Sequence, residues 1–348
     1  MRIAQIAPLE EVIPPRKYGG TERVVSVLTE ELVRRGHEVT LFASGDSQTS
    51  ARLVACAPVA ERMGADYMRS LGRTMAQCNT AYERAHEFDV IHNHLDHPAF
   101  RFARASPTPT VTTTHGRLDV PEIAHAYSEF PEQKLVSISL DQASYLPRAN
   151  WVGNVYHGID LSHFELRMEP GKYLAFVGRI SPEKRPDVAI EIAERAGMPL
   201  YMAAKVDRYD QDYYDTLIEP MLRRSRYAEL IGEVDDAEKN TLLGGAYACL
   251  FPIDWPEPFG LTMVESMATG TPVIARRRGS VPEVIRDGET GFICETVDEM
   301  LDALERVGSL DRHRCRQHVE ENFSPEAMAT HHEAVYESVV ASELSLVG

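Results

Sequence analysis

Cysteine is scarce in this chain, and what there is forms no pattern. Cys56, Cys78, Cys249, Cys294 and Cys315 lie far apart, with no C-x-x-C pair among them. An odd, scattered set is neither a disulfide framework nor a zinc signature, and it fits a reducing, cytoplasmic compartment. No apolar run is long enough to cross a bilayer. The opening MRIAQIAP lacks the apolar stretch of a signal peptide and reads instead as a buried strand. No G-x-G-x-x-G follows a strand-like run, which removes a dinucleotide dehydrogenase. Repeats and low-complexity segments are missing too. Positive charge is in deficit: 36 Lys and Arg against 53 Asp and Glu, a net of −17. That balance argues against nucleic acid and against stable association with an anionic membrane. The deficit is uneven, with residues 1–164 at −3 and residues 165–348 at −14. An anionic ligand of the second half would therefore need a few focused cations and backbone amides.

What is present is enough chain for two domains, each with its own core, and alternating strand and helix signals. RIAQIA (2–7) is a short apolar run, followed by a loop carrying Gly19 and Gly20. TERVVSVLTEELVRRG reads as a helix with Val24, Val25, Leu28 and Leu32 on one face, and EVTLFA (38–43) as the second strand. A helical pattern over 66–86 places Met68, Leu71, Met75 and Cys78 together. Its Arg69, Arg73 and Arg84 are too few for a polybasic patch, so that face is expected on the core. Strands follow near FDVIHNH, TVTTTH and KLVSIS, with a helix near 139–146. The pattern restarts with a strand over 173–178, a helix near 186–195, PLYMAAK (199–205), AELIGEV (228–234) and the helical DDAEKNTLLGGA. Repeated βα units predict mainly parallel sheets, with sites beyond the carboxyl ends of the strands.

The chemistry concentrates in FPIDWPEPFGLTMVESMATGTPVIA (251–275). Pro256 and Pro258 enforce an extended turn, and Gly260 opens a helix. Glu257 and Glu265 frame that opening, eight positions apart, so they cannot pair on one helical face. Between them the N–H groups of Phe259, Gly260 and Leu261 begin a helix and suit an anion. An anion flanked by two hydroxyl-seeking carboxylates outlines a phosphorylated sugar. Upstream, Arg179 and Lys184 are spaced to reach one diphosphate, Arg as a fork and Lys as a point charge. His92, His94 and His97 crowd together in IHNHLDH; His92 and His94 would share a strand face, but no third ligand sits at a defined metal spacing, and a structural cluster is the better reading. His115 ends a strand-like run and precedes Gly116, where this fold class places its sites.

With PFGL and TGTPVIA around it, the E-x7-E spacing of Glu257 and Glu265 resembles the donor signature of retaining glycosyltransferases of family 4. The likeness extends over nearly the whole chain, strongest in 173–295. It implies an α/β fold of the GT-B type, with two Rossmann-like doubly wound domains facing a cleft. An acceptor domain would span 1–160, with a last helix, 325–344, packing back on it, and a donor domain 161–324. It implies a retaining transfer of a glucose-like hexose from a nucleotide sugar, UDP-linked by preference, to a small polar acceptor. Arg179 and Lys184 take the place of a metal in the front-face mechanism, so neither cofactor nor metal is expected. His115, Arg179, Lys184 and Glu257 would be catalytic. Gly19, Gly20, Gly232, Glu233, Val234, Phe259, Gly260, Leu261 and Glu265 would join Arg179, Lys184 and Glu257 in holding the donor, with Glu257 on the sugar and Glu265 on the ribose. Arg16, Lys17 and Arg117 are the candidates for an anionic group on the acceptor. Lys205 departs from the glycine-rich pattern of relatives, and its role is left open. The rival readings are a non-hydrolysing nucleotide-sugar epimerase and a catalytically silent nucleotide-sugar-binding module.

Overall fold

A computed structural model describes residues 1–17, 19–60 and 67–347. Two compact units emerge: Met1–Ile159 with Pro325–Gly348, and Asp160–Ser324.

The first unit is built on a seven-stranded sheet. Its strands are β1 (Arg2–Ile6), β2 (Glu38–Ser44), β3 (Arg52–Ala57), β4 (Val90–Asn93), β5 (Thr110–Thr113), β6 (Lys134–Ser137) and β7 (Trp151–Asn154). The order is β3-β2-β1-β4-β5-β6-β7, and every pairing is parallel. Alternation along the strands dresses both faces. Ala4, Ile6, Phe42 and Ile91 pack with Ala81 and Ala85, while Leu41 and Ala43 pack with Val25 and Ile13. The helix Gly20–Arg34 buries Val24, Val25, Leu28 and Leu32. The 66–86 pattern is realised as a helix over Tyr67–Glu83 that buries Cys78 completely. Asp66 and the side chains of Met68 and Arg69 lie outside the described residues. The final helix, Pro325–Val347, seals Tyr336, Ala329 and Val339 against this unit.

The second unit holds a six-stranded parallel sheet of β8 (Leu174–Ile180), β9 (Leu200–Val206), β10 (Ala228–Gly232), β11 (Ala248–Phe251), β12 (Val273–Arg276) and β13 (Gly291–Cys294). The order is β10-β9-β8-β11-β12-β13. Leu174, Phe176, Met202, Leu250 and Ile274 face Ile190, Ile192 and Met300 of the covering helices. Each sheet reverses its strand order once, at β1/β4 in the first unit and β8/β11 in the second. The crossover helices diverge there, leaving a crevice at the strands' carboxyl ends. The loops that leave β8 and β11, and those that leave β1, β4 and β5, therefore matter for function.

Candidate functional site

In the second unit, the loop after β8 carries Lys184 and the loop after β11 carries Glu257, and the switch point brings them together. Lys184 Nζ forms a salt bridge with Glu257 Oε2. Trp255 Nε1 donates to the same oxygen at 3.0 Å, and the Lys184 ammonium lies 5.0 Å from the Trp255 ring and 5.5 Å from that of Phe251. The carboxylate is buried. Its backbone is held by a second loop: Ser280 N donates to Glu257 O at 2.9 Å, and Ser280 Oγ donates to Phe259 O at 2.7 Å. The approach is close enough that a Cβ on Gly279 would fall 2.3 Å from Glu257 N. Gly260, at φ 80°, caps the helix Leu261–Ala268 in the left-handed region that glycine adopts without strain. The first N–H groups of that helix have no acceptor within it.

The other expected donor residues separate. Glu265 is buried and does not meet Glu257; its partner is Lys239, 2.5 Å away, on the helix Asp236–Gly244. Arg179 lies 3.7 Å from Glu183 and 3.9 Å from Asp210, both loose contacts. Lys205 reaches Asp207 Oδ2 at 3.2 Å. Gly232 ends β10 at φ 83°, with Glu233 and Val234 half-buried after it. Lys239 was not foreseen: a single lysine in a helix has no local signature, and its partner lies 26 residues away.

In the first unit, Gly19 precedes the helix Gly20–Arg34, at φ 154°, beside the Glu22 carboxylate. Burial pushes Glu22 up to about 7, helped by the nearby Glu10 and Glu11. Glu22 lies just past the Gly19–Gly20 pair expected to hold the donor, and nothing local in the sequence marks its burial. At the end of β4, Asp96 adopts φ 57°, ψ −144°, an unusual backbone for a residue with a side chain. Desolvation raises its carboxyl to about 6, against a hydrogen bond from Tyr127 Oη at 3.0 Å and another from the backbone N–H of His115. Asp96 stands among the histidines of IHNHLDH, and the sequence there gives no sign of its backbone conformation. His115 follows β5, half-buried, and burial holds its imidazole neutral, with the pKa lowered to about 3. His92 and His94 are buried in hydrogen bonds, whereas His97 is exposed. Arg117 pairs with Asp119 at 2.7 Å, and Arg16 and Lys17 lie exposed in the β1 loop. Among the described residues no helix is long and apolar enough to cross a membrane.

Comparison with known proteins bears on both units. The family model described as Glycosyl transferases group 1 matches residues 159–322, and that described as Glycosyltransferase Family 4 matches residues 18–152. Glycogen synthase of Mycobacterium tuberculosis (strain CDC 1551 / Oshkosh) is 26% identical over 339 residues, covering 82% of this chain and 81% of that protein. D-inositol 3-phosphate glycosyltransferase of Mycolicibacterium gilvum is 28% identical over 339 residues, covering 80% of this chain and 74% of that protein. Among solved structures, sucrose-phosphate synthase from Thermosynechococcus elongatus superposes with a TM-score of 0.80 at 18% identity, covering 98% of this chain and 100% of that one. Anabaena HepE in complex with UDP and glucose gives 0.76 at 17% identity, covering 97% and 100%.

Proposed function

This chain belongs to the family 4 glycosyltransferases with the GT-B fold, and we propose that it moves a glucose-like hexose from UDP to a small polar acceptor with retention of configuration. The observation that carries the reading is the Lys184–Glu257 pair at the β8/β11 switch point. Each partner neutralises the other until a ligand offers both a phosphate and hydroxyls. The donor diphosphate then takes Lys184 and Arg179, and Glu257 turns to the sugar hydroxyls. The N–H groups at the start of Leu261–Ala268 add to the phosphate side, and Glu265 accepts from the ribose.

Chemically, the bond from the anomeric carbon to the diphosphate oxygen breaks, and a bond to the acceptor oxygen forms on the same face. The acceptor's proton passes to the departing phosphate. Fixed cations beside the developing negative charge lower the barrier without reorganising at the moment of reaction. In this reading no cofactor takes part, and the two cations do what a metal does in other transferases. The UDP and glucose named with the HepE structure support the choice of donor.

A panel of nucleotide sugars in thermal-shift assays, followed by product analysis, tests the proposal. UDP-glucose should raise the melting temperature by mass action, and an α-linked donor should give an α product in the presence of EDTA. A β product or strict dependence on an added divalent cation would refute the mechanism. Turnover of the donor without acceptor would point to an epimerase, and tight binding without any turnover to a binding module.

A further inference from the structure

We propose that a buried hydrogen-bond relay fixes which nitrogen of His115 carries its proton, and that Gln5 and His94 are positioning residues for it. That His115 meets the sugar rests on the transferase reading above and on the catalytic role the family resemblance implies for His115; the relay itself does not. Gln5 lies on β1, His92 on β4, His94 just beyond β4, and Thr113 on β5. Tyr336 comes from the final helix.

Burial keeps the imidazoles neutral, so each ring has one donor nitrogen and one acceptor. His94 Nε2 lies 2.6 Å from Gln5 Oε1, a distance that suits N–H donating to oxygen. With its proton on Nε2, His94 must accept at Nδ1, and the atom 2.9 Å away is His115 Nε2. His115 therefore donates through Nε2 and keeps a lone pair on Nδ1. The other side of Gln5 runs in the same direction. Its Nε2 donates to Tyr336 Oη at 3.4 Å, Tyr336 donates to His92 Nδ1 at 2.7 Å, and His92 Nε2 donates to Thr113 Oγ1 at 2.7 Å. All five donors share one polarity, pointing away from His115.

The opposite polarity would need the Gln5 amide turned over, after which every donor reverses. His94 Nε2 would then meet an amide nitrogen at 2.6 Å, too close for a nitrogen pair. His115 would also bury an N–H with no acceptor, and orphaned buried N–H groups are rarer than under-satisfied acceptors. In the favoured polarity the unmatched atom is His115 Nδ1, which is buried without a hydrogen-bond partner among the described residues. It calls for an O–H donor. A sugar hydroxyl can supply one; a phosphate oxygen, which only accepts, cannot. The relay thus leaves His115 Nδ1 able to accept from a hydroxyl and unable to donate to a phosphate.

The experiment is two-bond 1H–15N NMR on protein labelled with 15N-histidine and free of substrate, with His115 assigned by comparison with His115→Asn. Wild type should show a pyridine-type Nδ1 and a pyrrole-type Nε2 at His115. Gln5→Leu removes the acceptor for His94, so the His115 pattern should invert or mix, and kcat should fall about tenfold or more, as mis-set tautomers do elsewhere. UDP affinity should hold within about twofold, because the change touches no donor-phosphate contact. Gln5→Glu still accepts from His94 and should restore the Nε2–H pattern with part of the turnover. A pyrrole-type Nδ1 in wild type would overturn the proposal, as would a Gln5→Leu protein that keeps the wild-type tautomer. The wild-type spectrum decides the polarity even if neither variant folds. A protein that transferred no sugar would leave that spectrum unchanged, so the two readings fail separately.

Discussion

Lys239 Nζ stands 2.5 Å from Glu265 Oε1, with the two side chains only 12% and 5% exposed. The second carboxylate of the E-x7-E pair is thus neutralised within its own unit. Removing one partner strands a buried charge, so Lys239→Met should destabilise the protein by about 3 kcal/mol. The double variant Lys239→Met/Glu265→Met should regain most of that loss yet bind UDP poorly, if Glu265 holds the ribose. Urea unfolding and UDP titration check both parts. Equal stability of Lys239→Met and wild type would show that the pair carries no buried-charge penalty.

Lys184→Ala should lower turnover by about a hundredfold or more, since it removes a preorganised charge at the leaving group. Arg179→Ala should act similarly. The double variant should fall short of the product of the two, because both serve one diphosphate. Glu257→Gln should impair sugar-dependent binding while UDP affinity stays near wild type. Steady-state kinetics beside UDP calorimetry separates these effects, and undiminished turnover in Lys184→Ala would remove the clamp.

Gly279→Ala should disturb the loop that holds Glu257, because its Cβ would meet Glu257 N and O at 2.3 and 2.4 Å. Backbone must shift, so turnover should drop and the thermal shift on adding UDP-glucose should shrink. Gly72→Ala is the contrast. It lies in the helix Tyr67–Glu83 with nothing among the described residues within 4 Å of the new methyl, and it should stabilise the protein by up to about 1 kcal/mol. If Gly279→Ala retains full activity, the two loops are not coupled as described.

Acid should weaken the first unit well before most of its carboxylates protonate. Burial lowers His115 and His332 to about 3 and pushes His92, His94 and His157 well below the ordinary 6.5. Below 6.5 the unfolded chain takes up protons that the folded one refuses, so stability falls as pH drops from about 6.5 toward 3. Each histidine contributes up to about 1.4 kcal/mol per pH unit. Glu22 and Asp96 act oppositely: their folded carboxyls hold protons up to about 7 and about 6, which favours the folded state as pH falls through that range. Burial lowers His97 as well, so two carboxyls oppose six imidazoles and the net change is a loss. Urea midpoints at a series of pH values should show it, and His332→Phe should flatten the slope. A midpoint that holds or rises on acidification would contradict the assignment.

Much of this was legible in the chain because parallel strands buried on both faces announce themselves as apolar runs. RIAQI and EVTLF stand out for that reason. β3 did not, because it is a sheet edge whose side chains are mostly part-exposed and small. The likeness that named the family also named Lys184 and Glu257, which share a loop pair at the switch point. Tertiary partners were not readable. Tyr336 meets His92 across 244 positions, and no local pattern encodes that. Asp96 betrays itself only through its backbone angles, which a sequence does not display.

The first unit is closed by the last helix of the chain, and that orders events during synthesis. Residues 1–159 leave the ribosome without the helix Pro325–Val347, and so without Tyr336, which is wholly buried in the finished unit and completes the hydrogen bonds of Gln5 and His92. Asp160–Ser324 is a contiguous stretch that has all its strands before translation ends. At about 5–20 residues per second, its synthesis occupies roughly ten to thirty seconds. Throughout that interval the nascent first unit carries an open apolar seam where Ala329, Tyr336 and Val339 will pack. The half of the protein made first is therefore the half finished last.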